Sequence, residues 1–208
     1  MIKYKLFLRK SSFKKDLENA KLLLKIIEEA KPVNFLEVGV LEGATSRNVC
    51  ELLNIIHDGK FSYTGIDLFG EDKNLNNLKE YTPISKKFSN PIKWIYFNLI
   101  IKMEPNSKKC VEHLLKKFKN VISIYQGYSR IVLNQINLKK IDFVFLDGGH
   151  SYDTVKEDLH ILTSNLKKNS IIICDDYNIL HYGVKKAVDE IKDNYVFKNY
   201  GRFSYIKL

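Results

Sequence analysis

After Phe13 the apolar residues Leu17, Ala20, Leu23, Leu24, Ile27 and Ala30 recur at steps of three and four, the period of a helix. An amphipathic helix is therefore predicted from Phe13 to Ala30. Pro32 stops it, and Val33 to Val38, closed by Gly39, reads as a buried strand. Continuing along the chain, Ala44 to Ile56 reads as a helix and Phe61 to Ile66 as a strand. Val121 to Tyr125, Ile141 to Leu146 and Ile171 to Cys174 read as further strands, separated by helical patterns at Arg130 to Ile136 and Tyr152 to Leu166.

Strand and helix alternate, which is the pattern of a parallel sheet wound on both faces. The end of the chain departs from it. After a helix near Tyr182 to Ile191, the runs Tyr195 to Tyr200 and Phe203 to Lys207 flank Gly201-Arg202, and strands joined so tightly must be antiparallel. The expected fold is α/β, a Rossmann-like, doubly wound, mostly parallel seven-stranded sheet with a C-terminal antiparallel hairpin. A single domain is expected over 1–208, with 1–32 as a leading helical region. The stretch 69–120 is the least regular, with Pro83, Pro91, Pro105 and the bulky Trp94, Tyr96 and Phe97. It reads as an insertion over the mouth of a site, or as an ordinary surface subdomain.

Composition keeps the chain in the globular class: 208 residues, 45% hydrophobic and 28% charged. No run approaches the roughly 18–20 apolar residues that span a bilayer, and the first ten residues lack the apolar core of a signal peptide. The expectation is a cytoplasmic protein with no membrane partner. Cys50, Cys110 and Cys174 are dispersed and odd in number, so they read as reduced thiols and not as a disulfide frame. A net charge of +10 raises the question of nucleic acid. The lysines are spread along the whole chain, however, which argues for a residue-usage bias over a binding patch.

Chemistry concentrates at strand ends. Asp147-Gly148-Gly149-His150 follows one apolar run and Asp175-Asp176 follows the next. Neighbouring parallel strands lie about 4.8 Å apart, and ligands of such sheets gather at the carboxyl ends, so these side chains can share one hard metal ion. Asp also starts turns and caps helices, which alone explains one aspartate of the pair. The loop Glu37-Val38-Gly39-Val40-Leu41-Glu42-Gly43 lies between the first strand and a helix, where a nucleotide-like ligand binds. It lacks the middle glycine of G-x-G-x-x-G. Its two carboxylates disfavour a pyrophosphate and suit a ligand with a ribose, an amino group and a cationic sulfur. Asp67, ending the adjacent strand, is placed to accept from ribose hydroxyls.

These pieces, in this order, resemble the class I S-adenosylmethionine-dependent methyltransferases, with Gln126-Gly127-Tyr128-Ser129 after the third strand completing the set. The resemblance implies that Glu37 and Gly39 bind near the methionine end and that Asp67 holds the ribose, with Gly43 and Thr45 among the donor-binding residues. It places Gly127, Tyr128 and Ser129 beside the adenine, with Asp147 bordering donor and acceptor. Within that family Asp147, Asp175 and Asp176 look like the ligands of the divalent-cation O-methyltransferases, for Mg²⁺ or Mn²⁺. The segment Leu146 to Leu159 is most similar to the macrocin-type and cephalosporin-tailoring branch, which implies a sugar-like or polyol acceptor over a catechol.

Methyl transfer to a hydroxyl requires the acceptor to be oriented and its proton removed. His150, with an ordinary pKa near 6.5, is the first candidate base, and Asp147 is the second catalytic candidate. A helix-capping role for His150, or one orienting a carboxylate, stays open beside it. Tyr177 and His181 are near enough in sequence to line the acceptor pocket or to start a helix. His57, His113 and His160 read as surface or helix-face residues and Tyr152 as packing. A nicotinamide-dependent reductase would show G-x-G-x-x-G and a Tyr-x-x-x-Lys pair. A nucleic-acid base methyltransferase would show Asn or Asp before Pro-Pro-aromatic where this chain has Asp147-Gly148-Gly149-His150. The expected partner is therefore a small-molecule hydroxyl acceptor, with nucleic acid kept as the disfavoured alternative. Homo-oligomerisation is left open.

Overall fold

The structure, a computed structural model, describes residues 3–70, 88, 90–178 and 180–208. Its strands are β1 (Asn34–Val38), β2 (Ser62–Asp67), β3 (Ile122–Gln126), β4 (Phe143–Leu146), β5 (Ile171–Cys174), β6 (Val196–Tyr200) and β7 (Phe203–Lys207). They form one sheet in the order β3-β2-β1-β4-β5-β7-β6. The first five pair in parallel, and β7 runs antiparallel between β5 and β6. The expected sheet and its terminal hairpin are both present. Because the chain enters at β1, steps outward to β3 and then returns to β4, the order reverses between β1 and β4. Their carboxyl ends open a crevice there.

Neighbouring residues of a strand face opposite ways, and each face has its own core. On one face Tyr63, Phe35 and Phe143 are register partners across β2, β1 and β4. Their rings stack at centroid distances of 6.0 and 5.2 Å and are fully buried beneath α1 (Leu17–Ala30) and α2 (Ala44–His57). On the other face Leu36, Val144 and Ile172 pack against Val132 of α5 (Ser129–Leu133), Leu159 and Leu162 of α6 (Tyr152–Asn165), and Val184 and Val188 of α7 (Tyr182–Asp189).

The leading helix differs from its periodicity. Ser12–Lys15 forms a separate 3-10 turn, and Asp16 breaks the helix at φ −141°, ψ 60°, accepting from the amide and side chain of Asn19 at 3.4 and 2.8 Å. The break turns Phe13 inward to contact Tyr4, Phe145 and Phe203. Side chains that bond locally compete with helix continuation, and Asp16 does so. In the expected insertion, residues 71–87 and 89, with Pro83 among them, lie outside the described residues. The remainder forms α3 (Pro91–Ile95), running into a π-helical turn at Tyr96–Ile100, and α4 (Lys108–Leu114). Asn90 caps α3 ahead of Pro91, and Ser107 caps α4, both standard helix starts.

Phe35→Ala should destabilise the fold by about 3–5 kcal/mol, because it opens a cavity inside the stacked row. Urea unfolding checks this; a loss well under 1 kcal/mol would show that the row is not a packed core.

Candidate active site

At the β1–β4 crevice two backbones nearly touch. Gly39 has φ +94°, its N–H donates to the Ile66 carbonyl at 2.9 Å, and a Cβ placed on it would lie 1.9 Å from the Asp147 carbonyl oxygen. Only glycine permits that approach. Gly43 (φ +77°) begins α2, where a Cβ would meet Leu114 and Val111, so it seats the α4 region and does not face the crevice.

The crevice is a cavity of about 380 Å³. Of the residues expected to bind a donor, Gly39, Thr45, Asp67, Gly127, Tyr128, Ser129 and Asp147 line it, while Glu37 and Gly43 do not. Asp67 accepts from the amides of Leu41 and Phe69, each at 2.7 Å, which binds the glycine loop to the end of β2. Burial pushes its carboxyl up in pKa while these amides oppose the shift. Each carboxylate oxygen has a second lone pair for a hydroxyl. Beyond β3, the Arg130 guanidinium lies 5.6 Å from the Tyr128 ring and 3.5 Å from Glu157 of α6.

The two loop glutamates are placed differently from the expectation. Glu37 is buried behind the cavity wall, accepts from the Tyr63 hydroxyl, and is pushed up to about pKa 8 by burial. Glu42 is also buried, accepting from the Lys10 amide at 2.6 Å and pairing with Lys93 at 2.9 Å. Neither presents a free negative charge to a ligand, so, contrary to the expectation, the loop's carboxylates do not select a cationic sulfur.

The segment before α1 supplies a wall that the sequence did not signal. Lys10, Ser11 and Ser12 line the cavity, Tyr4 bonds Thr45 at 2.9 Å, and Ser12 donates to Asp147 at 3.4 Å. From the insertion, buried Asn106 lines it with an Oδ1 that has no partner among the described residues.

At the acidic corner, the amides of Asp147 and Asp175 bond the Val38 and Leu146 carbonyls, fixing both residues just past β4 and β5. Oxygens of Asp147, Asp175 and Asp176 lie within 4.8 Å of one another. Burial, then the neighbouring Asp175 and Asp176, drive Asp147 well above the ordinary carboxyl range. Arg202, from the β6–β7 turn, forks onto Asp175 with Nε–Oδ1 and Nη2–Oδ2 both 2.5 Å. It also reaches Asp16 at 3.3 Å and Asp176 at 3.7 Å. Sequence reading assigned Arg202 only a turn; nothing local marks it, because its partners are between 26 and 190 residues away.

Asp176 (φ +57°) receives His150 Nε2 at 3.0 Å and His181 Nε2 at 3.5 Å. Partial burial raises its pKa, but His150, Arg202 and His181 together hold it below the ordinary value. Tyr177, by contrast, is buried against Phe197 with its hydroxyl on Asp189 at 2.7 Å, which removes it from an acceptor pocket.

A methyltransferase-domain profile matches residues 36–177, the span from the glycine loop through this corner. The chain belongs to the methyltransferase-domain family. It is a class I enzyme dependent on S-adenosylmethionine. Solved structures share the fold at low identity. The calicheamicin methyltransferase CalS11 superposes with a TM-score of 0.64 at 16% identity, covering 94% of this chain and 80% of that one. The O-methyltransferase NovP gives 0.60 at 16% identity, covering 93% and 79%. An O-methyltransferase from Bacillus cereus, solved with S-adenosylhomocysteine, gives 0.58 at 11% identity, covering 95% and 84%. No curated protein matches the sequence significantly. No helix among the described residues is long and apolar enough to cross a membrane.

Two outcomes test this geometry. Gly39→Ala should lose S-adenosylhomocysteine binding in calorimetry and lower the urea midpoint, since the added methyl collides with backbone. The Glu37 pKa, raised to about 8 from 4.5, means that folding favours its protonated form. Its contribution is complete below about pH 4.5 and is lost as pH rises towards 8. Glu37→Gln should accordingly gain stability relative to the parent between pH 5 and pH 8; a pH-independent difference would refute the assignment.

Proposed function

We propose that the protein transfers the methyl group of S-adenosylmethionine to a hydroxyl of a small molecule, with a sugar-like or polyol acceptor preferred. The observation that carries this reading is the continuity of one cavity. Asp67, Tyr128 and Ser129 line it at one end, and Asp147, His150 and Asp176 line it at the acidic corner. In this arrangement Asp67 accepts from the ribose hydroxyls, Tyr128 and Ser129 border the adenine, and Gly39 and Thr45 adjoin the methionine end. Asp147 would then border the sulfonium.

Transfer breaks the sulfur–methyl bond and forms an oxygen–methyl bond, leaving a neutral thioether while the hydroxyl proton departs. His150 Nδ1 accepts that proton, and Asp176, accepting from the Nε2–H of the same ring in the resting site, holds the ring in place and stabilises its charged form. Ser12 and Asp147 border the acceptor from the side of the leading segment.

The donor atoms also fit a divalent cation. Three carboxylates face one guanidinium, and burial, then the neighbouring Asp175 and Asp176, push Asp147 above the ordinary carboxyl range. Asp147, Asp175 and Asp176 would hold Mg²⁺ or Mn²⁺, with Asp175 sharing its oxygens with Arg202. The ion would lower the pKa of the acceptor hydroxyl and fix its direction. The sugar-like preference draws support from the 146–159 segment. It also agrees with the description of CalS11 as a TDP-rhamnose 3'-O-methyltransferase.

Calorimetric titration with S-adenosylhomocysteine is the primary test, and a folded protein that does not bind it contradicts the reading. His150→Gln should lower turnover about 100-fold or more while donor affinity is retained. Unchanged turnover in that variant would leave the proton to a carboxylate. Chelator should depress turnover, with activity restored by Mg²⁺ or Mn²⁺; full activity in chelator would exclude the metal.

A further inference from the structure

The outer side of Asp176 carries a second group of donors with different chemistry. His150 lies in the loop after β4 and His181 at the start of α7, yet both imidazoles aim Nε2 at one atom, Asp176 Oδ2, at 3.0 and 3.5 Å. The rings are 4.8 Å apart and inclined by 37°. The opposite oxygen, Oδ1, is 3.7 Å from Arg202, so the two oxygens of this carboxylate serve different neighbours. The backbones beneath are fixed. A Cβ on Gly183 would lie 2.4 Å from the His150 carbonyl oxygen and 2.7 Å from the Tyr152 nitrogen, and Asn178 Oδ1 accepts from the His181 amide at 3.1 Å.

We propose that His150 Nε2, His181 Nε2 and Asp176 Oδ2 form a nitrogen-rich site for a transition-metal ion of the Zn²⁺ or Co²⁺ class. This site is distinct from the oxygen-only corner formed by Asp147, Asp175 and Asp176. Zinc bonds of about 2.0–2.1 Å at tetrahedral angles set neighbouring donor atoms about 3.3 Å apart. The two nitrogen–oxygen separations bracket that value, and one ligand atom from each of the three residues falls within 4.8 Å of the others. Two imidazoles and one carboxylate leave a fourth position open, and the histidine side chains are 45% and 37% exposed, so an ion can enter from solvent. An ordinary surface ion pair needs one imidazole. The second Nε2 turned onto the same oxygen adds the third donor atom that a shared cation would use. Imidazole donors favour Zn²⁺, Co²⁺ or Ni²⁺ over Mg²⁺, which prefers an all-oxygen shell.

An ion held there ligates the imidazole of the proposed base through Nε2 and takes one oxygen of Asp176, which withdraws electron density from the ring and removes the carboxylate that stabilises its charged form. Zn²⁺ should therefore inhibit methyl transfer without changing affinity for S-adenosylhomocysteine. That consequence rests on the proposed O-methyl transfer, whereas the site does not.

The full chain, stripped with chelator, is titrated with Co²⁺ and followed by visible absorption. We expect one equivalent with an intense tetrahedral band, undisplaced by excess Mg²⁺. His181→Ala and His181→Gln should each weaken Co²⁺ binding roughly tenfold or more, on the order of a lost contact in a metal site. His160→Ala should leave it unchanged. Circular dichroism and S-adenosylhomocysteine binding establish that the variants are folded. The site is refuted if the folded parent gives no band, if both His181 variants bind as the parent does, or if Mg²⁺ displaces Co²⁺ mole for mole. Failure of S-adenosylhomocysteine binding alone would count against methyl transfer and leave the Co²⁺ result standing.

Discussion

The Arg202–Asp175 fork is the interaction on which the acidic corner depends. Three carboxylates gather where β4 and β5 end, and like charges that close raise one another's pKa and oppose burial. One guanidinium offsets this by binding Asp175 through both oxygens while lying near Asp176 and Asp16. Its guanidinium face is used as well, with Cζ 4.6 Å from the Phe13 ring centroid. The terminal hairpin, β5 and the segment before α1 therefore meet at one side chain. Such a buried pair is not in itself strong evidence of added stability, but removing one member leaves an uncompensated charge.

The sheet determines where that corner lies. Hydrophobic residues on both faces of β1 and β4 force burial from both sides, and the reversal of strand order leaves a crevice at their carboxyl ends. Gly39 allows the two loops to meet within that crevice. The site is thus a product of backbone packing before any side chain contributes chemistry, and its polar groups are added at strand ends where their backbones are already fixed.

Sequence position indicated these polar groups better than it indicated their charge. Asp67, Asp147 and Tyr128 lie along the cavity as the strand order implied. Glu37 and Glu42 were equally visible, one residue or two from a glycine, yet burial drives one towards neutrality and Lys93 pairs with the other. The predicted helix from Phe13 to Ala30 failed at Asp16 for a related reason. Its periodicity is real, but the pull of Phe13 towards Phe145 and Phe203 is a tertiary effect.

By itself the sequence determined the alternation of strands and helices, the antiparallel hairpin, the acid that ends β2 and the acids that follow β4 and β5. Each is encoded in a local period or in a residue beside a strand end, so nearby side chains suffice to reveal it. Only the tertiary structure decided that Arg202 would hold Asp175, that His150 and His181 would converge on Asp176, and that Lys10 to Ser12 and Asn106 would wall the cavity. These contacts join residues far apart in the chain. They depend on strand order, on Gly39 and Gly183 allowing loops to approach, and on how burial redistributes charge, none of which a linear pattern carries.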